Sequence, residues 1–282
     1  MMADLHATAR RLRDLVEPLA ANVYFAPEAI DRYKGLGCNY FEGYFCSRGA
    51  CLGKAPAAVI TAVFAAFKPS VVDRAVTGGW EKTEPEPMLA ARLDGATKSL
   101  FRLIGDPPAS LGRATEIIER ALDGLDPSGR PLYSGLTALP VPETPWGRFW
   151  RAADRMREHR GDGHISAWTP DLDSCEITVL SELAWRIPPR SYVFTRGYDE
   201  SDVDAAHERL EQRGLVKGGA ITEQGRSLRR EIEDRTDRSV REVVDRLGDD
   251  ADELFGLLEP MTAAVIAGAG YPVDPGFLHR DS

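Results

Sequence analysis

Cysteine and histidine are scarce in this chain, at four and five residues in 282. Cys38, Cys46, Cys51 and Cys175 show no Cys-x-x-Cys spacing and no histidine at the sequence distance that common metal sites need. The expectation is therefore reduced, partly buried thiols, with no metal and no cofactor. Long apolar runs are missing as well: Ala55 to Phe67 and Met261 to Ala269 are too short to cross a bilayer, which takes roughly 20 residues. Met1-Met2-Ala3-Asp4-Leu5 lacks the basic-then-apolar order of a secretory signal, so a cytoplasmic protein without a membrane partner is expected. Positive charge is in deficit, with 35 Lys and Arg against 44 Asp and Glu and a net charge of -9. That balance opposes a broad nucleic-acid surface, which needs concentrated basic side chains. Phosphate loops, nucleophile elbows and dinucleotide fingerprints are absent too.

What is present is a globular composition, 43% hydrophobic and 28% charged, that gives no reason to expect disorder. The chain also repeats itself. Val59-Ile60-Thr61-Ala62-Val63-Phe64 through Phe67-Lys68, then Gly79-Trp80, is echoed by Ile177-Thr178-Val179-Leu180-Ser181-Glu182 through Trp185-Arg186, then Gly197-Tyr198, at a constant offset of 118 residues. Ser47-Arg48-Gly49-Ala50 and His159-Arg160-Gly161-Asp162 share Arg-Gly at an offset of 112. Such a repeat points to two related helical modules. The turn-rich Pro140 to Pro145 stretch serves as the linker, dividing the chain into 1–139 and 146–282.

Periodicity predicts helices over 5–20, 27–36, 38–50, 55–67, 69–76, 87–103 and 107–124 in the first half, with Pro18 kinking or ending the first. In the second half it predicts helices over 146–159, 172–186, 188–196, 200–213, 223–247 and 250–267. Between the helices 200–213 and 223–247, Leu215-Val216-Lys217-Gly218-Gly219-Ala220-Ile221 reads as strand, tight turn and strand. The 223–247 helix carries i,i+4 charge pairs (Glu231 with Arg235, Asp234 with Arg238, Asp237 with Arg241), which predict a solvated helix that neutralises its own arginines.

The run Leu210-Glu211-Gln212-Arg213-Gly214-Leu215-Val216, followed by Ile221-Thr222-Glu223-Gln224-Gly225-Arg226-Ser227-Leu228, resembles the wing region of MarR-type winged helix-turn-helix regulators. The likeness covers about residues 150–245, and the whole chain with its paired Arg-Gly motifs is similar to functionally obscure actinobacterial proteins described as MarR-like. The fold the resemblance implies is mainly α, with two pseudo-repeated winged-helix-like domains and a small β wing in the second. In MarR-type proteins the third helix enters the major groove and the wing carries basic residues to the minor groove. Here Asp199, Glu200, Asp202, Asp204, Glu208 and Glu211 face only Arg209 and Arg213 on that helix, and the wing has shrunk to Lys217-Gly218-Gly219. DNA is accordingly a disfavoured partner.

His159-Arg160-Gly161-Asp162-Gly163-His164 concentrates two histidines, a cation and an acid in six residues, and its glycines let another backbone approach. His159, Asp162 and His164 are candidates for acid-base chemistry, and Arg160 for holding a carboxylate or phosphate. The alternative is a polar joint in which Asp162 caps a helix and the histidines meet backbone carbonyls. In the first copy Tyr40, Tyr44 and Ser47 share a helical face beside Arg48. If the two copies pack face to face, Tyr40, Tyr44, Ser47, Arg48, His159, Arg160, Asp162 and His164 line one cleft for a small aromatic or anionic molecule, with Trp80, Trp168 and Trp185 available as walls or as core. Three functions follow: a regulator or ligand-sensing derivative of one, an enzyme that has recruited the same cleft, or a plain protein-interaction role that needs no pocket.

Overall fold

The computed structural model describes residues 4–271. Helix α1 (Leu5–Ala21) starts where the Asp4 side chain accepts from the His6 N–H, and it runs a turn past Pro18 instead of stopping there. After a short tight helical turn come α2 (Pro27–Gly35) and α3 (Tyr40–Gly49), the latter opened by a reciprocal Asn39 and Glu42 capping box. The first copy of the repeat continues as α4 (Ala57–Phe64), α5 (Pro69–Trp80) and α6 (Pro85–Ile104). Pro69 and Pro85 suit the starts of α5 and α6, because the first helical N–H needs no partner, and Pro56 immediately precedes α4.

Helix α7 (Leu111–Leu122) begins beyond Pro107 and Pro108, and it is followed by a seven-residue helix that periodicity does not predict, α8 (Pro131–Thr137). Helix α9 (Pro145–Trp168) is continuous through Gly161 and Gly163, so the polar cluster lies within a helix and not after one. A Cβ on Gly163 would sit 2.2 Å from Oγ and 3.0 Å from Cβ of Ser239, so glycine lets this helix approach its neighbour closely with Ser239 in its present rotamer.

The second copy follows as α10 (Ser174–Trp185), α11 (Ser191–Thr195) and α12 (Glu200–Gln212), repeating the helix order of α4 to α6. An antiparallel hairpin then pairs β1 (Val216–Lys217) with β2 (Ala220–Ile221) through two glycines at positive φ. This is the small wing read from the sequence. The fold is mainly α, and the hairpin is its one sheet among the described residues.

Residues 223–247 form two helices, α13 (Glu223–Ser239) and α14 (Arg241–Leu247), in place of the one predicted. The break falls where the Arg130 guanidinium takes the Ser239 carbonyl. Helix α13 neutralises itself only in part: of the predicted pairs Glu231 with Arg235 forms, at 3.9 Å, and Arg229 meets Glu233 at 3.1 Å, but the other two do not. Asp237 is fully buried, and with Asp234 it bonds Arg10 of α1 at 2.9 Å, so the predicted partners Arg238 and Arg241 are bypassed. The chain ends its described part with α15 (Asp250–Ala267).

Two clusters of buried apolar side chains result. The larger draws on residues 5–156 and again on 240–265; the smaller covers 167–232. The cores thus divide differently from the halves 1–139 and 146–282, because α14 and α15 fold back onto α1 and α7. Helix α9 contributes to both clusters and holds the wing-bearing unit against the rest.

Candidate ligand cavity

Between these two clusters lies a cavity of about 830 Å³, within the range that holds drug-sized molecules. Helix α1 supplies Leu12, Arg13, Val16 and Glu17; α3 supplies Tyr40, Phe41 and Tyr44; α9 supplies Met156, Arg157, Arg160 and His164. The opposite wall is Trp185 at the end of α10, then Tyr192, Thr195 and Arg196 along α11 and its cap. Phe67 and Trp185, which align in the repeat, face the same space. Its surface is mostly carbon and rich in aromatic rings.

Four of the eight predicted ligand residues line this space: Tyr40, Tyr44, Arg160 and His164. The Tyr40 hydroxyl donates to the Tyr24 carbonyl at 3.2 Å. Arg160 reaches Glu233 of α13 at 3.1 Å. His164 Nδ1 lies 2.9 Å from Thr236 Oγ1, whose own proton goes to the Ile232 carbonyl at 2.8 Å. Thr236 therefore accepts from Nδ1, which leaves Nε2 as the acceptor of a neutral ring. Burial pushes the His164 pKa down to about 4, with Glu233 opposing and Arg160 adding to the shift.

Ser47, Arg48, His159 and Asp162 sit elsewhere. Ser47 is buried and donates to the Tyr44 carbonyl at 3.4 Å. Arg48 is spent on a bidentate bond to buried Glu158, both N–O distances being 2.7 Å. Arg157 and the Tyr24 hydroxyl meet the same carboxylate at 2.8 and 3.4 Å. Burial alone would raise Glu158, but Arg48 and then Arg157 hold it at about 2. Arg48 is thus tied to the residue before His159 by an internal ion pair that does not line the cavity. His159 packs edge-on against the Tyr133 ring at 4.9 Å, and burial followed by the Arg130 charge lowers it to about 3. A ring so hard to protonate has little capacity for proton exchange near neutrality.

Asp162 caps a helix, although not the next one. Its Oδ2 accepts the Tyr133 N–H at the start of α8, 3.0 Å away. Burial raises its pKa to about 7, against the opposing Tyr133 bond. A folded-state value above the unfolded one makes the neutral acid the stabilising form, so its contribution is full below about pH 4 and is lost as pH rises through about 7. Asp162→Asn keeps an acceptor without the charge. Its melting temperature, measured from pH 4 to 8, should gain on the native protein as pH rises and level off above 7; parallel curves would show that Asp162 does not titrate there.

Sequence reading did not single out Arg196, Tyr192, Phe67 and Glu233. One signal was available, since Arg196-Gly197 is a further Arg-Gly dipeptide at the same end of the repeat. Of the tryptophans, Trp185 is a wall, Trp168 is core and Trp80 donates to the Ala55 carbonyl. The thiols are free, and burial pushes Cys46, Cys51 and Cys175 up to about 12, unsuited to nucleophilic work. His6, Asp234 and Asp237 converge at metal-ligand spacing, but Arg10 already answers both carboxylates.

Beyond the cavity, α12 presents Glu200, Asp204, Glu208 and Glu211 to solvent along one face. Asp199 caps this helix and, with Asp202, is gripped by Lys68 from the start of α5, the Asp199 contact being 2.8 Å. Arg190 binds Glu200 and Asp204. A helix order of α10, α11 and α12 followed by a hairpin agrees with a match to the model of a helix-turn-helix family over residues 9–272. The chain belongs to that helix-turn-helix family. No curated protein and no solved structure matches it. Within this helix-turn-helix chain no described helix is long and apolar enough to cross a membrane.

Proposed function

We propose that this helix-turn-helix protein is a ligand-sensing member of MarR-like type that binds a small molecule between its wing-bearing unit and the remaining helices, with weak or lost DNA binding. The cavity carries this reading: it is large, lined mainly by carbon, and furnished with a few directed polar groups, as ligand sites are. Its position supports a sensing role. Phe67 and Arg196 on the wall adjoin Lys68, whose N–H donates to the Arg196 carbonyl at 2.9 Å and whose ammonium holds the start of α12. A molecule that shifts either wall residue therefore acts on α12 directly. The acidic outer face of α12 supports the second half of the proposal, because its four exposed carboxylates outnumber the one arginine, Arg190, that binds two of them, and so repel phosphate.

A ligand that binds only the folded state raises the melting temperature with its concentration. Screening small apolar acids by thermal shift should give saturable stabilisation that Thr195→Trp, which narrows the cavity from α11, removes. No stabilisation by any compound class would count against the cavity as a binding site. In gel shifts with DNA from upstream of its own gene, the protein should bind weakly and only at low salt. A tight, salt-resistant shift would refute the weak-DNA half; no shift at low salt would leave a ligand-binding protein without a direct DNA role.

A further inference from the structure

The four arginines around the cavity are not equivalent. Arg157 is matched by Glu17 at 2.9 Å and by Glu158. Arg160 has Glu233, with Asp237 at 3.6 Å. Arg13 has Asp14 at 2.9 Å and Glu233 at 3.6 Å. Arg196 has no carboxylate within 4.0 Å among the described residues. Its guanidinium is instead stacked over two rings, 4.7 Å from the Phe67 centroid and 4.3 Å from that of Tyr192. Its buried Nε makes no hydrogen bond, a feature it shares with Arg160, so the missing carboxylate is what sets it apart.

That arrangement leaves a desolvated donor unanswered, which is costlier for a charged group than for a neutral one. Two aromatic faces flank the guanidinium and leave its edge for an oxyanion, two of whose oxygens it can hold in a fork. Among the described residues the other cations of the lining have their acids, and Arg196 is the positive charge left to answer. Across the space, His164 Nε2 is an acceptor on a neutral ring and suits a ligand O–H or N–H. Trp185 and Tyr192, with ring centroids 5.3 Å apart, stand beside Tyr44 and Phe67 as apolar walls for a flat body.

We propose that Arg196 is the anion-holding residue of this cavity and that the ligand is a flat, largely apolar monoanion, a carboxylate or sulfonate, bearing a hydrogen-bond donor. This rests on the cavity being a ligand site and adds the charge and shape of what it takes. Ligands that are neutral, or that carry two or more charges, bind less well.

Two fluorescent probes of nearly the same skeleton separate these points. Anilinonaphthalenesulfonate has the aromatic body, an N–H and one negative charge; phenylnaphthylamine lacks the sulfonate. Titrated calorimetrically into the full chain, the sulfonate should bind one-to-one and more tightly than the amine. Arg196→Met should weaken the sulfonate at least ten-fold and change the amine by less than two-fold, with Arg196→Lys recovering part of the loss. An unchanged melting temperature without probe checks that each variant folds, and should Arg196→Met not fold, the Arg196→Lys comparison and the salt dependence of sulfonate binding to the native chain carry the test. Equal binding of both probes, or equal loss of both in the variant, overturns the anion site and leaves the cavity reading standing. If neither probe binds stoichiometrically, the cavity reading falls and the anion site with it.

Discussion

Glu158→Ala is expected to destabilise the protein by about 3–5 kcal/mol, the usual cost of stripping one partner from a buried ion pair. The side chain is 1% exposed and is the carboxylate shared by Arg48 and Arg157, with the Tyr24 hydroxyl as a further donor. Arg48 and Arg157 also stand over the Tyr24 ring, as does Arg92, which is itself bonded to Asp154 at 3.1 Å. Removing Glu158 leaves Arg48 without a carboxylate in a dry setting, and leaves Arg157 with Glu17 alone. The melting temperature should fall by roughly 6–20 °C for a chain of this size. Arg48→Ala should cost less, since Glu158 keeps Arg157. Because the folded carboxyl is held at about 2, below its ordinary value of 4.5, the pair's contribution is present above about pH 4.5 and is lost as pH falls through 2. Native protein and Glu158→Gln should therefore converge in stability on acidification. A melting temperature unmoved by Glu158→Ala at pH 7 would mean that the network adds nothing to folding.

This result also separates two roles for the Arg-Gly motif. Taken as a ligand-binding arginine, Arg48 would give a variant of native stability and impaired binding. As the partner of Glu158 it gives the reverse, a destabilised protein whose cavity walls are otherwise in place.

Gly95→Leu should be destabilising by about 3 kcal/mol through overpacking. A Cβ at Gly95 would lie 2.5 Å from both Cα and Cβ of Ala29 and 2.9 Å from its N, so α2 and α6 touch backbone to backbone there. No side-chain rotation relieves that contact. Gly95→Ala makes the sharper test of sign. On helix propensity alone it should gain about 1 kcal/mol, yet the contact predicts a net loss. Chemical denaturation of both variants measures this, and a stabilised Gly95→Ala would show that the two helices can part at little cost.

Much of the helix pattern was legible because it depends on local chemistry. Asn39 with Glu42 and Asp173 with Glu176 are reciprocal capping boxes, the starts at Pro27, Pro69 and Pro145 are proline-marked, and the 250–267 helix follows its apolar spacing. Thr222, whose side chain accepts from the Gly225 N–H, begins α13 directly after the wing. A Cβ on Gly225 would fall 2.3 Å from the Leu215 carbonyl oxygen, the physical reason for glycine in the wing motif. The continuity of α9 through two glycines was not legible, because it depends on α13 closing against Gly163. Nor was α8, whose first turn is capped from 29 residues away by Asp162.

By itself the sequence determined a mainly helical chain, its repeated three-helix order, the small wing and an acidic third helix in the second copy, since propensity, capping and charge are written residue by residue. Tertiary structure alone decided which polar groups are free. Arg48 and Arg196 are both arginines followed by glycine, but only Arg48 meets a buried carboxylate, and that choice depends on how α3, α9 and α11 pack, which no local pattern encodes.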